Sequence, residues 1–253
     1  MALEVRRRLI APNPTRTTCG RAGPGPPTSY NLSSLSEQPI HLQDGPIEAT
    51  FAFIDLAGFS ALTEVHGDLR ASGLIDRFRD LAYECAGPQG RLLKMIGDEA
   101  FLIFDDPRAA VIAVEWLITS CLDEPGFPLP QAGLHHGNAI ARSGEVVGTA
   151  VNVASRLADA ASAREVYCTA DVADAAAALP RPTIEIGPRQ FHNISQAFDV
   201  YSIQLGPVPV GESVDPVCRM AVRHTAAAAR LSDERGEVWF CSLECADRFE
   251  RQN

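Results

Sequence analysis

Lysine is almost absent from this 253-residue chain. Of its 22 basic residues, 21 are arginine, and the single lysine is Lys94. A basic excess is absent as well. The formal net charge is −10, which excludes a nucleic-acid binder held by a broad basic face. Long apolar runs are missing. The longest candidate, Ala109 to Leu122, is interrupted by Glu115 and is too short to span a bilayer. A secretory apolar region is missing too, because Arg6 to Arg8 are followed by Pro12 and Pro14. These absences lead us to expect a cytoplasmic protein with no nucleic-acid and no membrane partner.

What remains is ordinary globular material, 46% hydrophobic and 21% charged, enough for one sizeable core and a small second one. Residues 46–205 hold the acidic excess, with 11 basic and 21 acidic groups. Such a region binds a polyphosphate only through a local site, with a metal or a few placed cations. Among the seven cysteines, Cys85, Cys121 and Cys168 sit in apolar segments and read as buried small hydrophobes. Cys218, Cys241 and Cys245 cluster near the end, which in a cytosolic chain suggests metal or redox chemistry before a structural disulfide.

Residues 1–45 are rich in Pro, Gly, Ser and Thr, have no sustained apolar period, and read as disordered. From there the pattern alternates. Ala49 to Leu56 is an apolar strand with Asp55 near its end. Leu62, Val65, Leu69, Ile75, Phe78, Leu81 and Cys85 follow at helical spacing. Arg91 to Ile96 and Glu99 to Phe104 read as strands around Gly97-Asp98, where glycine in the first turn position suits a type II′ hairpin. Asp106 is the expected N-cap, and Pro107 the first residue, of a helix reaching about Leu122. Gln131 to His136 is a strand, Val147 to Ala161 a helix, Glu165 to Cys168 a strand and Asp171 to Leu179 a helix; Thr183 to Ile186 and Phe198 to Leu205 are closing strands. The order predicts an α+β fold, a ferredoxin-like βαββαβ core with C-terminal additions. Residues 206–214 read as a linker, and residues 215–253 as a small separate unit.

Asp55, ending a strand, and Asp98, on a hairpin tip, converge if that strand lies beside the hairpin. Two carboxylates on a rigid sheet edge suit a pair of Mg²⁺ or Mn²⁺ ions whose remaining ligands are substrate phosphates. Gly58 allows a phosphate close to the backbone N–H groups that follow it. Three segments then carry a resemblance: Phe53 to Ser60, Arg91 to Ala100, and Gly148 to Leu157 with Val151-Asn152-Val153-Ala154-Ser155-Arg156. In this order they resemble the motifs of the class III adenylate/guanylate cyclase catalytic domain, over residues 48–205.

The resemblance implies roles for each matching position. Asp55 and Asp98, with the Ile54 backbone, would hold two metals per site. Gly58, Phe59 and Ser60 would meet the phosphates. Lys94 falls at the base-reading position, where lysine suits adenine. Asn152 would orient the ribose and Arg156 would stabilise charge on the α-phosphate. The site would lie across a homodimer interface, with Lys94, Asn152 and Arg156 supplied by the other chain. Three departures stand out. Glu145 occupies the second base-reading position, normally Asp or Thr. His192 falls at or near the place of a phosphate-binding lysine. The loop from Asn138 to Gly148 is short, as in compact bacterial members. His135-His136 reads as the end of a strand rather than a metal pair.

At the C-terminal end, Cys218, Cys241 and Cys245 are spaced Cys-x22-Cys-x3-Cys. With Asp215 to Met220, Trp239-Phe240 and Phe249, this resembles the YHS domain, a small metal-binding unit of the TRASH type. Arg219 stands where that family usually has glycine. Three thiolates suit Zn²⁺ or Cu⁺, with a fourth ligand from elsewhere or from solvent; three unligated thiols and a labile disulfide are the other readings. The resemblances together imply an adenylate cyclase converting ATP to cyclic AMP and pyrophosphate, with a metal- or redox-responsive C-terminal unit. The alternatives are a nucleotide-binding regulatory protein with weak or no catalysis whose C-terminal unit handles metal, and a metal-handling protein that the cyclase-like part only dimerises.

Overall fold

The computed structural model describes residues 6–9, 42–124, 126–179, 181–206, 209–233 and 236–252. In chain order the elements are β1 (Arg6–Leu9), β2 (Gly45–Leu56), α1 (Phe59–His66), α2 (Asp68–Ala86), β3 (Gly90–Ile96), β4 (Glu99–Phe104), α3 (Pro107–Asp123), β5 (Pro130–Arg142), β6 (Glu145–Val147) and α4 (Thr149–Ala160). They continue with β7 (Val166–Thr169), α5 (Ala170–Ala178), β8 (Thr183–Gln190), β9 (Ala197–Ile203), β10 (Glu212–Val214), β11 (Ala221–Arg223), β12 (Ala229–Asp233), β13 (Gly236–Phe240) and α6 (Leu243–Gln252). Among the described residues no helix is long and apolar enough to cross a membrane.

The central sheet has the order β3-β4-β2-β5-β7-β9-β8, with β6 folded back on β5. Its first four strands are antiparallel neighbours in the ferredoxin-like order expected from the βαββαβ pattern. The apolar run of β2 divides by the two-residue period of a strand. Ala52, Ile54 and Leu56 enter the core under α2, α3 and α5, while Ala49, Phe51 and Phe53 face the core under α4. Phe53 lies opposite Phe101 on β4, and the two rings stack at 4.4 Å. Burial on both faces makes β2 a rigid base for the residue that ends it, Asp55.

The β3–β4 turn is the two residues Gly97-Asp98, with Gly97 at φ 66°, as a II′ hairpin requires. The β3–β4 pairing shifts register between Leu92 and Lys94. Leu93 is therefore a bulge, and a bulge re-aims the side chain that follows it, here Lys94. Helix α3 begins at Pro107, and the Asp106 carboxylate accepts the Arg108 N–H at 2.7 Å. The helical stretch after Asp55 is two helices, broken at Gly67 with φ 82°. The break swings Leu69 out of the expected apolar stripe, leaving it 91% exposed.

Three expectations need correction toward the ends of the chain. Most of residues 1–45 lies outside the described residues, but Arg6–Leu9 forms β1, antiparallel to β12 in the sheet β1-β12-β13. Backbone pairing to an open strand edge leaves no apolar period for sequence reading to find. The last part of the expected linker, Glu212–Val214, is β10, paired with β11. The C-terminal unit is also not separate. Val217, Cys218, Met220, Ala229, Leu231, Phe240, Cys245 and Ala246 form one core with Leu62 of α1 and Ala71 of α2. The 127–129 segment adds hydrogen bonds to it: Leu129 N–H donates to the Arg219 carbonyl at 3.1 Å, and Ala221 N–H to that of Phe127 at 3.3 Å. A unit of this size gains from burying its apolar face on a larger one.

Candidate active site

Asp55 stands opposite Glu99, across the ladder from the hairpin turn, and the Leu56 N–H reaches the Asp98 carbonyl at 3.4 Å. The expected convergence of Asp55 and Asp98 is therefore present, beside the fully buried Ile54. Burial, then the charges of Asp98 and Glu99, push the Asp55 carboxyl up to about 7. Burial, then the charges of Asp159 and Asp98, push Glu99 up to about 7. Burial also raises Asp98. Among the described residues no arginine or lysine pairs with Asp55 or Asp98, and the one side-chain donor to Asp55 outside the acid group is the Gln131 amide at 3.4 Å. Hard carboxylates crowded together without a cation are a donor set that fits Mg²⁺ or Mn²⁺. Glu99, Gln131 and Asp159 were missed in the sequence, because their part in the cluster depends on strand register and on the placement of α4.

Gly58 adopts φ 71° and caps α1 from the left-handed region. Phe59 is packed into both the central and the C-terminal cores, while Ser60 is exposed. Lys94 on β3 and Glu145 on β6 are brought together, Nζ to Oε1 at 3.6 Å, with both side chains more than half exposed. The two expected base-reading residues thus form one pair within a single chain. Asn152 and Arg156 lie on the exposed face of α4, where Arg156 bonds Asp159 at 2.7 Å.

His192 is exposed in the β8–β9 turn. By strand register that turn is at the end of the sheet away from Asp55. Its neighbours Phe191 and Ile194 pack with Val153 and Leu157 of α4, so His192 accompanies the helix of Asn152 and Arg156. Within one chain, then, Lys94 and Glu145 form a pair of their own, while α4 adjoins the carboxylate group through Asp159, the partner of Arg156, and packs beside the turn that carries His192. His135 and His136 are occupied structurally, by Thr169 Oγ1 at 2.7 Å and Thr50 Oγ1 at 3.0 Å.

The C-terminal thiols do meet. Cys218 Sγ is 3.4 Å from Cys241 Sγ, which is 3.7 Å from Cys245 Sγ. Hydrogen bonds from Cys218 and then Cys241 hold Cys245 well below the ordinary thiol value, whereas those to Cys218 and Cys245 raise Cys241. The fully buried Asp215 organises the cluster. Its carboxylate accepts N–H bonds from Val217 at 2.8 Å, Cys218 at 3.3 Å and Cys241 at 2.8 Å, so one side chain fixes two cysteine loops. His66 of α1, unmarked in the sequence, joins the group: the four ligand atoms lie within 4.8 Å of one another.

No protein-family model matches the chain. It is 30% identical over 171 residues to a pH-sensitive adenylate cyclase of Mycobacterium tuberculosis, a match covering 66% of this chain and 43% of that protein. It is 32% identical over 106 residues to an adenylate cyclase of Streptomyces coelicolor, covering 42% and 28%. The chain thus matches less than half the length of these relatives. Among solved structures, the adenylyl cyclase CyaB from P. aeruginosa aligns with a TM-score of 0.56 at 19% identity, over 67% of this chain and all of that one. An adenylate cyclase from Trypanosoma brucei aligns with a TM-score of 0.58 at 16% identity, over 66% and 90%. The central sheet of this chain, with its helices and the Asp55–Asp98 edge, has the fold of the class III nucleotidyl cyclase catalytic domain.

Proposed function

We propose that the chain is an adenylate cyclase that converts ATP to 3′,5′-cyclic AMP and pyrophosphate at sites shared between two copies. The observation that carries this reading is the meeting of Asp55 and Asp98 at one sheet edge, with no arginine or lysine among the described residues paired to either. Their carboxylates, with the Ile54 carbonyl, would hold two Mg²⁺ or Mn²⁺ ions. Bound there, such ions neutralise phosphate charge and acidify the ribose 3′-hydroxyl. The chain's own residues do the rest. Lys94 donates to a purine ring nitrogen, and Glu145 accepts from the exocyclic amino group; their exposure lets the pair part around a base edge. Asn152 holds the ribose so that its 3′-oxygen faces the α-phosphorus in line. The 3′-hydroxyl gives up its proton to water, its oxygen bonds to phosphorus as the bond to the pyrophosphate oxygen breaks, and Arg156 stabilises the charge on the α-phosphate. The turn Gly58-Phe59-Ser60 offers backbone N–H groups to the outer phosphates.

The two-copy site rests on the likeness to the cyclase motifs, in which Lys94, Asn152 and Arg156 of one copy face the carboxylates of the other; a two-fold pairing then completes two equivalent sites. The similarity to named adenylate cyclases supports the same reading. The rival, a nucleotide-binding regulatory domain without turnover, draws on Glu145 and His192. Purified protein incubated with ATP and Mn²⁺ separates the two. Cyclic AMP and pyrophosphate released in equal amounts, and lost in Asp98→Ala, are the expected result. ATP binding without either product would establish the rival.

A further inference from the structure

We infer that His66 is the fourth ligand of a zinc site formed with Cys218, Cys241 and Cys245, and that the ion clamps helix α1 to the C-terminal unit. A tetrahedral zinc ion with Zn–S near 2.3 Å and Zn–N near 2.0–2.1 Å sets sulfurs about 3.8 Å apart, and sulfur about 3.6 Å from nitrogen. The sulfur pairs here are at 3.4 and 3.7 Å. His66 Nε2 is 3.5 Å from Cys241 Sγ and 4.0 Å from Cys245 Sγ. These four separations match the edges of such a tetrahedron to within about 0.5 Å, and all four ligand atoms lie within 4.8 Å of one another. One imidazole with three thiolates is a closed structural zinc set. A copper(I) ion satisfied by the thiolates alone would have no use for His66. Asp215 holds the Cys218 and Cys241 loops by their backbone N–H groups, and Ser242 Oγ accepts the Cys245 N–H at 3.1 Å.

His66 belongs to the cyclase fold, so the site joins two parts of the chain. It also acts on a short helix held at its other end. At Gly58, which precedes α1, an added Cβ would come within 2.7 Å of Arg219 Cγ and 3.4 Å of the Val217 carbonyl oxygen. The loop that carries Cys218 therefore rests on the turn that starts α1. Arg219 keeps φ 58° there, the left-handed backbone for which glycine is usual. Between the two ends, Leu62 is fully buried in the C-terminal core. The ion therefore fixes the eight-residue helix whose first residues are Phe59 and Ser60. The regulatory consequence rests on the cyclase reading: zinc would order the turn that meets the triphosphate, and its loss would weaken nucleotide binding.

The test uses the full-length, thiol-reduced protein. Metal analysis should find one zinc per chain. In competition with a chromophoric chelator, His66→Ala should weaken zinc affinity at least about tenfold, and His66→Cys, which keeps a ligand, should restore much of it. Glu64→Gln, which removes the ion pair with Arg248 across the same contact, should leave the affinity unchanged. Zinc should also slow hydrogen exchange over residues 58–66 in the wild type but not in His66→Ala. Unchanged affinity in His66→Ala, no bound zinc, or binding of copper(I) alone without protection of α1 would each overturn the inference. None of these measurements uses nucleotide chemistry. A chain that binds zinc through His66 but forms no cyclic nucleotide would refute the proposed activity and leave the site standing.

Discussion

At Gly133 the backbones of β5 and α4 come into close approach, and Gly133→Ala tests how that packing positions the α4 residues. A Cβ added there would lie 2.2 Å from Ala158 N, 2.3 Å from the Ala154 carbonyl oxygen and 2.7 Å from Leu157 C. All three are backbone atoms of the helix and cannot turn aside as a side chain does. Restoring ordinary contact needs α4 to move off the sheet by about 1 Å. Over-packing of this kind costs about 1–3 kcal/mol, and a backbone-on-backbone clash belongs at the upper end. Helix α4 carries Asn152 and Arg156, and a displacement of that size costs about a hundredfold in a positioned reaction. Gly137→Ala is the control, since its Cβ would meet side-chain atoms of Ala150 and His135 at 3.2 Å, which yield by a few tenths of an ångström. Urea unfolding should show about 3 kcal/mol lost in Gly133→Ala and less than about 1 kcal/mol in Gly137→Ala. The cyclisation rate should fall about a hundredfold in Gly133→Ala and little in Gly137→Ala. A Gly133→Ala protein with the wild-type urea midpoint would refute the claimed contact, and one destabilised but fully active would refute its link to the site.

Burial holds His135 down at about 4 from its ordinary 6.5, so the native state keeps it neutral while the unfolded chain protonates below about 6.5. Its contribution, at most about 3 kcal/mol, is complete above pH 6.5 and lost as the pH falls toward 4; urea titrations of His135→Gln should show a shallower loss between pH 7 and 4.5. Asp106→Ala removes the α3 cap and should cost about 1 kcal/mol in thermal or urea unfolding. Glu145→Asp shortens the partner of Lys94 and should raise the ATP to GTP ratio of kcat/KM by up to about tenfold; a wild type that prefers GTP would contradict the role given to Lys94.

Local chemistry was legible where it was self-contained. The Gly97-Asp98 turn, the Asp106-Pro107 helix start and the apolar run of β2 each carry their signal within a few residues. The Asp55–Asp98 pair was legible because one strand and one hairpin were enough to place it. The break at Gly67 was hidden because Leu69 continues a helical apolar period that the fold does not use. The Leu93 bulge leaves no compositional mark, and Glu99 and Asp159 acquire meaning only through register and packing. His66 was invisible for a different reason. A single histidine on an amphipathic helix carries no signal until the chain returns about 150 residues later with three thiols. Reading residues 215–253 as a separate unit missed the face of α1 and α2 that they cover.

The most direct measurement mixes Asp98→Ala and Arg156→Ala. The first removes a carboxylate from one side of a shared site and the second removes the arginine from the other, so neither alone should make cyclic AMP. In a statistical mixture half of the dimers are heterodimers, each with one intact site of two, so activity should return to about a quarter of wild type. A mixture that forms heterodimers yet stays inactive, beside an active wild type, would contradict a site shared between two copies.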